Sequence, residues 1–230
     1  MKNKNILLIG GTGTLGKVIL EELYKKGFNI IYSSKSRKKI HSIKTKKRKN
    51  ILIGYKCDLS NEKNIKYLVE AAYKKFEKID CVINCSGVFY YDKLKNINYK
   101  TLTTMFEINT FATVIVNKYI EKNKKKLDLV KIITCGSSSA VIGATNTVSY
   151  CGSKHALLGI VKSLNQTVYK RKIINYCVNF GTLDSKMSKQ IRNIKNQNLI
   201  NQLDVVKSVL YLIDLGTYGL PEELYLKRFN

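Results

Sequence analysis

Short apolar runs alternate with amphipathic stretches of ten residues or more along most of this 230-residue chain. Runs at 5–9, 28–33, 50–55, 79–84, 128–135, 173–178 and 223–227 read as strands. Helical patterns fill 15–26, 61–76, 98–122, 149–170, 188–195 and 202–214. Strands separated by helices of that length pair in parallel, because a parallel pair needs a long crossover connection. Runs such as "ILLI" (6–9) are apolar at every position rather than at alternate ones, as in a sheet covered on both faces. The expected fold class is α/β, a doubly wound parallel sheet of about seven strands with helices on both faces. No internal repeat is visible and the single proline leaves no proline-rich linker, so one domain over 1–230 is expected.

The charge pattern narrows the function classes. Lysine and arginine number 41 against 16 acidic residues, a net charge of +25. Such a field suits nucleic acid or an anionic membrane. The lysines are spread over most polar segments, however, and only 35–50 and 122–126 are dense. No helix-turn-helix, zinc-finger or RNP pattern accompanies them. Solvated faces, or an acidic small-molecule or protein partner, are expected rather than nucleic acid. Cys57, Cys81, Cys85, Cys135, Cys151 and Cys177 form no C-x-x-C pair, and there are two histidines, so no metal site is expected. Cysteines scattered in this way suit a reducing compartment. The apolar run before Gly10 is four residues long, short of a signal sequence, and no run approaches the ~20 residues that span a bilayer. A cytoplasmic protein without membrane contact is expected.

The first apolar run opens into "GGTGTLGK", residues 10–17. Gly11, Gly16 and Lys17 fit the frame G-x-x-x-x-G-K of a nucleoside-triphosphate loop; Gly10, Gly13 and Gly16 fit the spacing of a dinucleotide-binding turn. The triphosphate loop needs Ser or Thr after its lysine to bind Mg²⁺. Val18 stands there. The glycines do follow a strand and open a helix, as the dinucleotide turn requires. Gly10 then allows the tight turn, Gly13 lets backbone approach a pyrophosphate, and Gly16 permits close helix–sheet packing. The alternative is a glycine-rich turn with no ligand. The end of the second strand adds a cofactor preference. NAD sites favour an acid there, to hold ribose hydroxyls. Here Ser33, Ser34, Lys35, Ser36 and Arg37 supply hydroxyls and cations, which suit a 2′-phosphate. NADP(H) is favoured and NAD(H) is possible.

Tyr150 and Lys154 lie four residues apart at the start of a helical pattern, hence on one face. An ammonium beside a phenol favours the phenolate. Ser137, thirteen residues before Tyr150, ends an apolar strand, where its hydroxyl can meet a substrate oxygen.

These segments in this order resemble the short-chain dehydrogenase/reductase family over nearly the whole chain. "GGTGTLG" is similar to its cofactor loop, "CDLS" to the turn after its third strand, and "NCSG" to its N-N-A-G after the fourth. "FEINTF" supplies Asn109, and "NFGTLDSKM" stands for the stretch usually written P-G-x-x-x-T. The resemblance is to the single-domain branch with an Asn-Ser-Tyr-Lys tetrad, which includes 3-oxoacyl-carrier-protein reductases. It implies a Rossmann fold and hydride transfer between a nicotinamide cofactor and a carbonyl. Tyr150 would be the general acid, Ser137 would fix the substrate oxygen, and Lys154 would hold the ribose and tune Tyr150. Asn109 would hold a water that resupplies protons. Cofactor contacts would come from Gly10, Thr12, Gly13, Thr14, Leu15 and Gly16, from Ser34, Lys35 and Arg37, and from Asp58 and Leu59. Asn84, Ser86, Gly87, Tyr150, Lys154, Gly181, Leu183 and Ser185 would complete the set. Thr14 stands where that branch commonly has glycine, Phe180 replaces a proline, and Ser185 replaces a threonine. None of these removes a catalytic group.

The segment near 187–201, "MSKQIRNIKNQNLIN", is expected to cover the substrate. Its polarity suits a polar or partly buried substrate rather than a steroid. Three readings stand. One is a reductase of carrier-linked 3-oxoacyl groups, with Arg171 and Lys172 near the cleft to meet an acidic carrier. Another is a reductase or dehydrogenase of a sugar or other small polar carbonyl compound. The third is a catalytically silent NADPH-binding regulatory protein. The resemblance also implies a homodimer or homotetramer built on the helices that hold Asn109 and Tyr150.

Overall fold

The computed structural model describes residues 4–46, 48–185, 187–188, 199–216 and 221–227. Strand β1 (Asn5–Ile9) leads into helix α1 (Thr14–Lys25), and β2 (Asn29–Ser34) into the short α2 (Arg37–His41). Then follow β3 (Leu52–Lys56), α3 (Glu62–Phe76) and β4 (Cys81–Asn84). Helix α4 (Tyr99–Phe106) runs through a π turn, Glu107–Phe111, into α5 (Ala112–Asn123). The chain continues through β5 (Val130–Cys135), α6 (Val148–Val168), β6 (Ile173–Phe180), α7 (Gln202–Asp214) and β7 (Glu223–Leu226). The seven strands form one sheet in the order β3-β2-β1-β4-β5-β6-β7, and every pairing is parallel. The winding reverses between β1 and β4. In such sheets a crevice opens beyond the strand ends at that point.

The continuous apolar strands are explained by burial on both faces. Ile6 and Leu8 of β1, with Ile30 and Tyr32 of β2, pack under Leu20 and Leu23 of α1 and Val205 and Val209 of α7. Leu7 and Ile9, with Ile31, Val82 and Ile132, pack under Leu68 and Val69 of α3 and Val116 and Ile120 of α5. Helix α6 adds Leu157, Leu158 and Val161 against Cys177 of β6. This is the doubly wound α/β fold read from the sequence. Asparagine, abundant in the chain, caps the helices: the side chains of Asn61, Asn98 and Asn201 accept the first free amides of α3, α4 and α7.

Three expectations meet the structure differently. The helix expected over 98–122 is divided by the π turn, which periodicity alone does not show. Helix α2 was not expected; five residues suffice because Ser36 accepts the Lys39 amide. Of the helical pattern at 188–195, all but Ser188 lies outside the described residues, as does most of the 187–201 segment.

Helix α7 is held by an unusual strand residue. Lys131 of β5 is buried, and its ammonium donates to the carbonyls of Leu212, Ile213 and Leu215 at the helix C-terminus. A cation there meets the negative end of the helix dipole. Burial, with Lys4 close by, lowers its pKa. Lys131→Met keeps the stem and removes the donor. Buried carbonyls left unpaired cost about 1–3 kcal/mol, so the urea midpoint should fall accordingly. An unchanged midpoint would mean that water or Lys4 takes over the three carbonyls.

Candidate active site

The loop after β1 is built on close backbone approach. Gly10 has φ +81°, and a Cβ there would stand 2.9 Å from the Ser86 amide nitrogen of the β4 loop. Gly13 donates its amide to the Gly10 carbonyl at 3.0 Å and precedes α1 with no side-chain cap. The first amides of α1 are thus open to an anion. A Cβ on Gly16 would collide with the Gly10 carbonyl. Gly16 thus lets the first turn of α1 close on the residue that follows β1.

Thr12 is turned inward and donates to Ser34 Oγ at 2.7 Å, and the Ser36 amide donates to the same oxygen at 3.2 Å. This ties the glycine loop to the end of β2. Just beyond, Lys35 forms an ion pair with Asp58 at 2.7 Å. The pair raises the Lys35 pKa. Burial alone would raise the Asp58 carboxyl, but Lys35 and Ser60 together hold it below the usual range. Arg37 opens α2 and is exposed.

A cavity of about 450 Å³ opens at the reversal point. Twelve expected residues line it: Gly13, Thr14, Leu15, Gly16, Ser86, Gly87, Ser137, Tyr150, Lys154, Gly181, Leu183 and Ser185; Cys85, beside Ser86, lines it as well. Gly10, Thr12, Ser34, Lys35, Arg37, Asp58, Leu59, Asn84 and Asn109 do not line it. Asn84 lies beneath, accepting from the amide and hydroxyl of Ser86. Ser185 is engaged with Ser188 through hydrogen bonds in both directions at 3.0 and 3.1 Å.

The tetrad residues come from three places: Asn109 from the π turn, Ser137 from just past the end of β5, and Tyr150 with Lys154 from α6. Ser137 follows β5; its amide donates to Asn179 Oδ1 at 2.9 Å and its Oγ accepts the Ser139 amide at 3.1 Å. With a lone pair so used, the hydroxyl proton remains to donate. Lys154 is 3% exposed, and its ammonium donates to the Cys135 carbonyl at 3.3 Å. It lies 5.9 Å from the centre of the Tyr150 ring. Phe89 meets that ring edge-on, with centroids 5.0 Å apart. Asn109 sits in the π turn and is buried. It accepts the Val88 amide at 2.8 Å and donates to the Val88 carbonyl and to Ser153 Oγ at 3.0 and 3.1 Å. A Cβ on Gly87 would lie 3.4 Å from Asn109 Oδ1 and 3.9 Å from Lys154 Nζ. Burial pushes the Cys135 thiol up to about 12 and holds Cys85 well above the usual thiol range, so both are neutral wall groups rather than nucleophiles.

Asn179, Ser153 and Phe89 were not singled out from the sequence. Asn179 Oδ1 fills the space a Cβ on Gly136 would need, and its Nδ2 donates to Glu223 Oε1 at 2.8 Å. A glycine at the end of an apolar strand was the available signal.

Comparison with known proteins agrees with this geometry. A family model described as short chain dehydrogenase matches residues 4–196. The 3-oxoacyl-[acyl-carrier-protein] reductase FabG of Rickettsia felis is 25% identical over 224 residues, which cover 97% of this chain and 87% of that protein. The diacetyl reductase [(S)-acetoin forming] of Staphylococcus epidermidis is 30% identical over 238 residues, 96% of this chain and 88% of that protein. Among solved structures, 3-ketoacyl-(acyl-carrier-protein) reductase from Brucella melitensis, complexed with NADH, superposes with a TM-score of 0.88 at 16% identity. The match covers 98% of this chain and 97% of that one.

The glycine loop yields a direct test. Gly16→Ala forces the Gly10 carbonyl away and should leave the helix content by circular dichroism intact. Dinucleotide affinity, measured by titration with NADPH, should fall about tenfold or more, the worth of one charge-assisted backbone hydrogen bond. Unchanged affinity would separate this turn from any anion.

Proposed function

The chain belongs to the short-chain dehydrogenase/reductase family, and on that footing we propose that it interconverts a carbonyl and a secondary alcohol with NADP(H), Tyr150 giving or taking the proton. The observation that carries this is the convergence of Ser137, Tyr150 and Lys154 on one cavity whose other end is the glycine loop. A dinucleotide fits that cavity. Gly13, Gly16, Gly87, Gly136 and Gly181 bring backbone to its wall, and the uncapped start of α1 lies at one end. Residues Gly13–Gly16 would hold the pyrophosphate, Lys154 the nicotinamide ribose, and Leu183 and Ser185 the ring. The nicotinamide cofactor, when bound, supplies or accepts the hydride.

The remaining work belongs to the protein. Tyr150 protonates the substrate oxygen as charge develops on it. Ser137 donates its hydroxyl proton to the same oxygen while its Oγ accepts the Ser139 amide. Lys154 gives one hydrogen bond to Cys135 and retains two protons for the ribose and the Tyr150 oxygen. Asn109 holds the Val88 backbone and α6 in register, beside the route by which water would resupply the proton.

NADP(H) is preferred to NAD(H) in this reading because the end of β2 carries no free acid. Ser34, Lys35 and Arg37 stand there, and the neighbouring Asp58 is engaged by Lys35. The substrate half of the cavity is walled by Phe89, Tyr91, Ile142 and Ala144. Those walls are more apolar than the segment 187–201 suggested. They suit an acyl chain, and the reductases of acyl-carrier substrates among the relatives favour a 3-oxoacyl group. Arg171 and Lys172, expected near the cleft, instead precede β6, at the opposite end of that strand from the Phe180–Ser185 wall. Arg171 is also ion-paired with Glu121, so within one chain neither stands beside the cavity to meet an acidic carrier. A compact diketone is the second reading, favoured by the likeness to diacetyl reductase. The complete tetrad speaks against a silent regulatory protein. Assembly as a homodimer or homotetramer is supported by Phe111 and Val148, which expose apolar surface beside the tetrad helices. Among the described residues no helix is long and apolar enough to cross a membrane, and all six cysteines are free. The free thiols support a cytoplasmic location.

Two outcomes are expected. Tyr150→Phe keeps the ring against Phe89 and removes the proton donor. Turnover should fall about 10²–10⁴-fold while NADPH affinity stays near the wild-type value. Near-normal turnover would place the acid elsewhere. Lys35→Ala with Arg37→Ala should weaken NADPH by about 1.5–3 kcal/mol per lost contact, while NADH binding is kept or tightened as Asp58 is freed from Lys35. Equal loss for both cofactors would overturn the 2′-phosphate assignment.

A further inference from the structure

We propose that Asp92 is a positioning residue for Tyr150, acting as a cap delivered from outside to the helix that carries it. The proposal rests on Tyr150 being the proton donor. Helix α6 begins at Val148, two residues before Tyr150. The preceding residue, Thr147, is of a type that usually caps a helix with its own side chain. Here its hydroxyl donates to the Ala144 carbonyl at 2.8 Å and meets Cys151 Sγ at 3.1 Å. Neither partner is an amide of the first turn. That amide is taken from elsewhere: Asp92 Oδ2 accepts the Ser149 amide at 3.1 Å and the Ser149 hydroxyl at 2.5 Å. A carboxylate at this end of a helix also meets the positive pole of its dipole.

Asp92 is 5% exposed, and its second oxygen, Oδ1, is buried with no hydrogen-bond partner. A carboxylate so placed is unfavourable for stability alone. Its surroundings hold it nonetheless. The Asp92 amide donates to the Asn146 carbonyl at 2.9 Å, Asp92 bridges to Thr147, and Asn146 donates to the Tyr91 hydroxyl at 3.3 Å. The loop after β4 is thus clipped to the start of α6. That loop also carries Phe89, whose ring abuts Tyr150. On the far side, the Tyr150 carbonyl accepts Ser153 Oγ, which in turn accepts Asn109. Tyr150 is therefore gripped through its ring by Phe89, through Ser149 by Asp92, and through Ser153 by Asn109. Asp92 joins the first two grips.

The test compares Asp92→Ala with Asp92→Asn, which keeps an oxygen able to accept from Ser149. Hydrogen–deuterium exchange of the protein without cofactor, read on peptides spanning 147–154, reports the cap independently of activity. Asp92→Ala should exchange there about tenfold faster, with other helices unchanged, and Asp92→Asn should restore most of the protection. In NADPH-dependent reduction of diacetyl, Asp92→Ala should lower kcat about tenfold or more and leave the affinity for NADPH near wild type, with Asp92→Asn again recovering. Unchanged exchange at 147–154 overturns the proposal. So does faster exchange with an unaltered kcat, or a joint loss of kcat and NADPH affinity with deprotection throughout the sheet. If the wild-type chain does not reduce diacetyl, that ketone leaves the proposed function, and the exchange measurement alone supports or overturns the cap.

Discussion

The contact between Gly10 and the β4 loop is what the cleft is built around. At the reversal point, two strand ends must part to leave room for a ligand while their loops stay packed. Gly10 meets both demands with φ +81° and with its α-carbon against Ser86. Any side chain there would face the left-handed backbone penalty and the Ser86 backbone together. Gly16 then closes on the Gly10 carbonyl and fixes where α1 starts. The direction of the open amides at that helix start follows from these two approaches rather than from any side chain.

A second constraint governs the tetrad. A lysine 3% exposed is tolerated only where its ammonium finds fixed partners. The Cys135 carbonyl is one, and small residues make the space for it: Gly87 stands between Lys154 and Asn109. The same arrangement recurs at Ser137, where Gly136 leaves room for Asn179 and Asn179 holds the serine amide. Asn179 is itself held by Glu223 of the edge strand β7. Ser137 is thus backed by a neutral amide that a glycine admits, and Lys154 by a backbone carbonyl with a second neutral amide, Asn109, across Gly87. Neutral amides position without competing for protons, and a carboxylate in their place would compete directly for the Lys154 charge.

The seven strands and the long helices could be read in advance because burial on both faces writes itself into the sequence as unbroken apolar runs. "ILLI", "CVIN" and "KIITC" have no other economical fold. Ser137, Tyr150 and Lys154 could be singled out because their spacing is local, four residues on one helix and thirteen back to a strand end, whereas Asn109 came only from the family resemblance. The π turn at Asn109 could not, since one added residue per turn leaves the apolar pattern of 98–122 nearly unchanged. Nor could Asn179 or Asp92, whose partners are 42 and 57 residues away along the chain. Polar contacts of that reach depend on register between strands and loops, which periodicity does not encode. The partner of Gly16, the Gly10 carbonyl just past β1, was not legible for the same reason. Its spacing marks a close approach but does not say to what.

The two halves of the cavity differ in how they are determined, and this explains why chemistry is easier to infer here than substrate. The cofactor half is bounded by strand ends, helix starts and glycines, whose positions follow from the sheet. Small changes there are intolerable, so the residues resemble a pattern. The substrate half is bounded by Phe89 and Tyr91 on one loop, by Ile142 and Ala144 on another, and by the approach to 187–201. Loops of this kind tolerate substitution as long as their clips survive. The clip in question, Asp92 on Ser149, belongs to the catalytic helix rather than to the substrate wall. Among the wall residues Phe89 is the exception, since its ring abuts Tyr150. Tyr91, Ile142 and Ala144 can change residue by residue without touching that ring, and a family of this architecture can vary what it reduces while keeping how it does so.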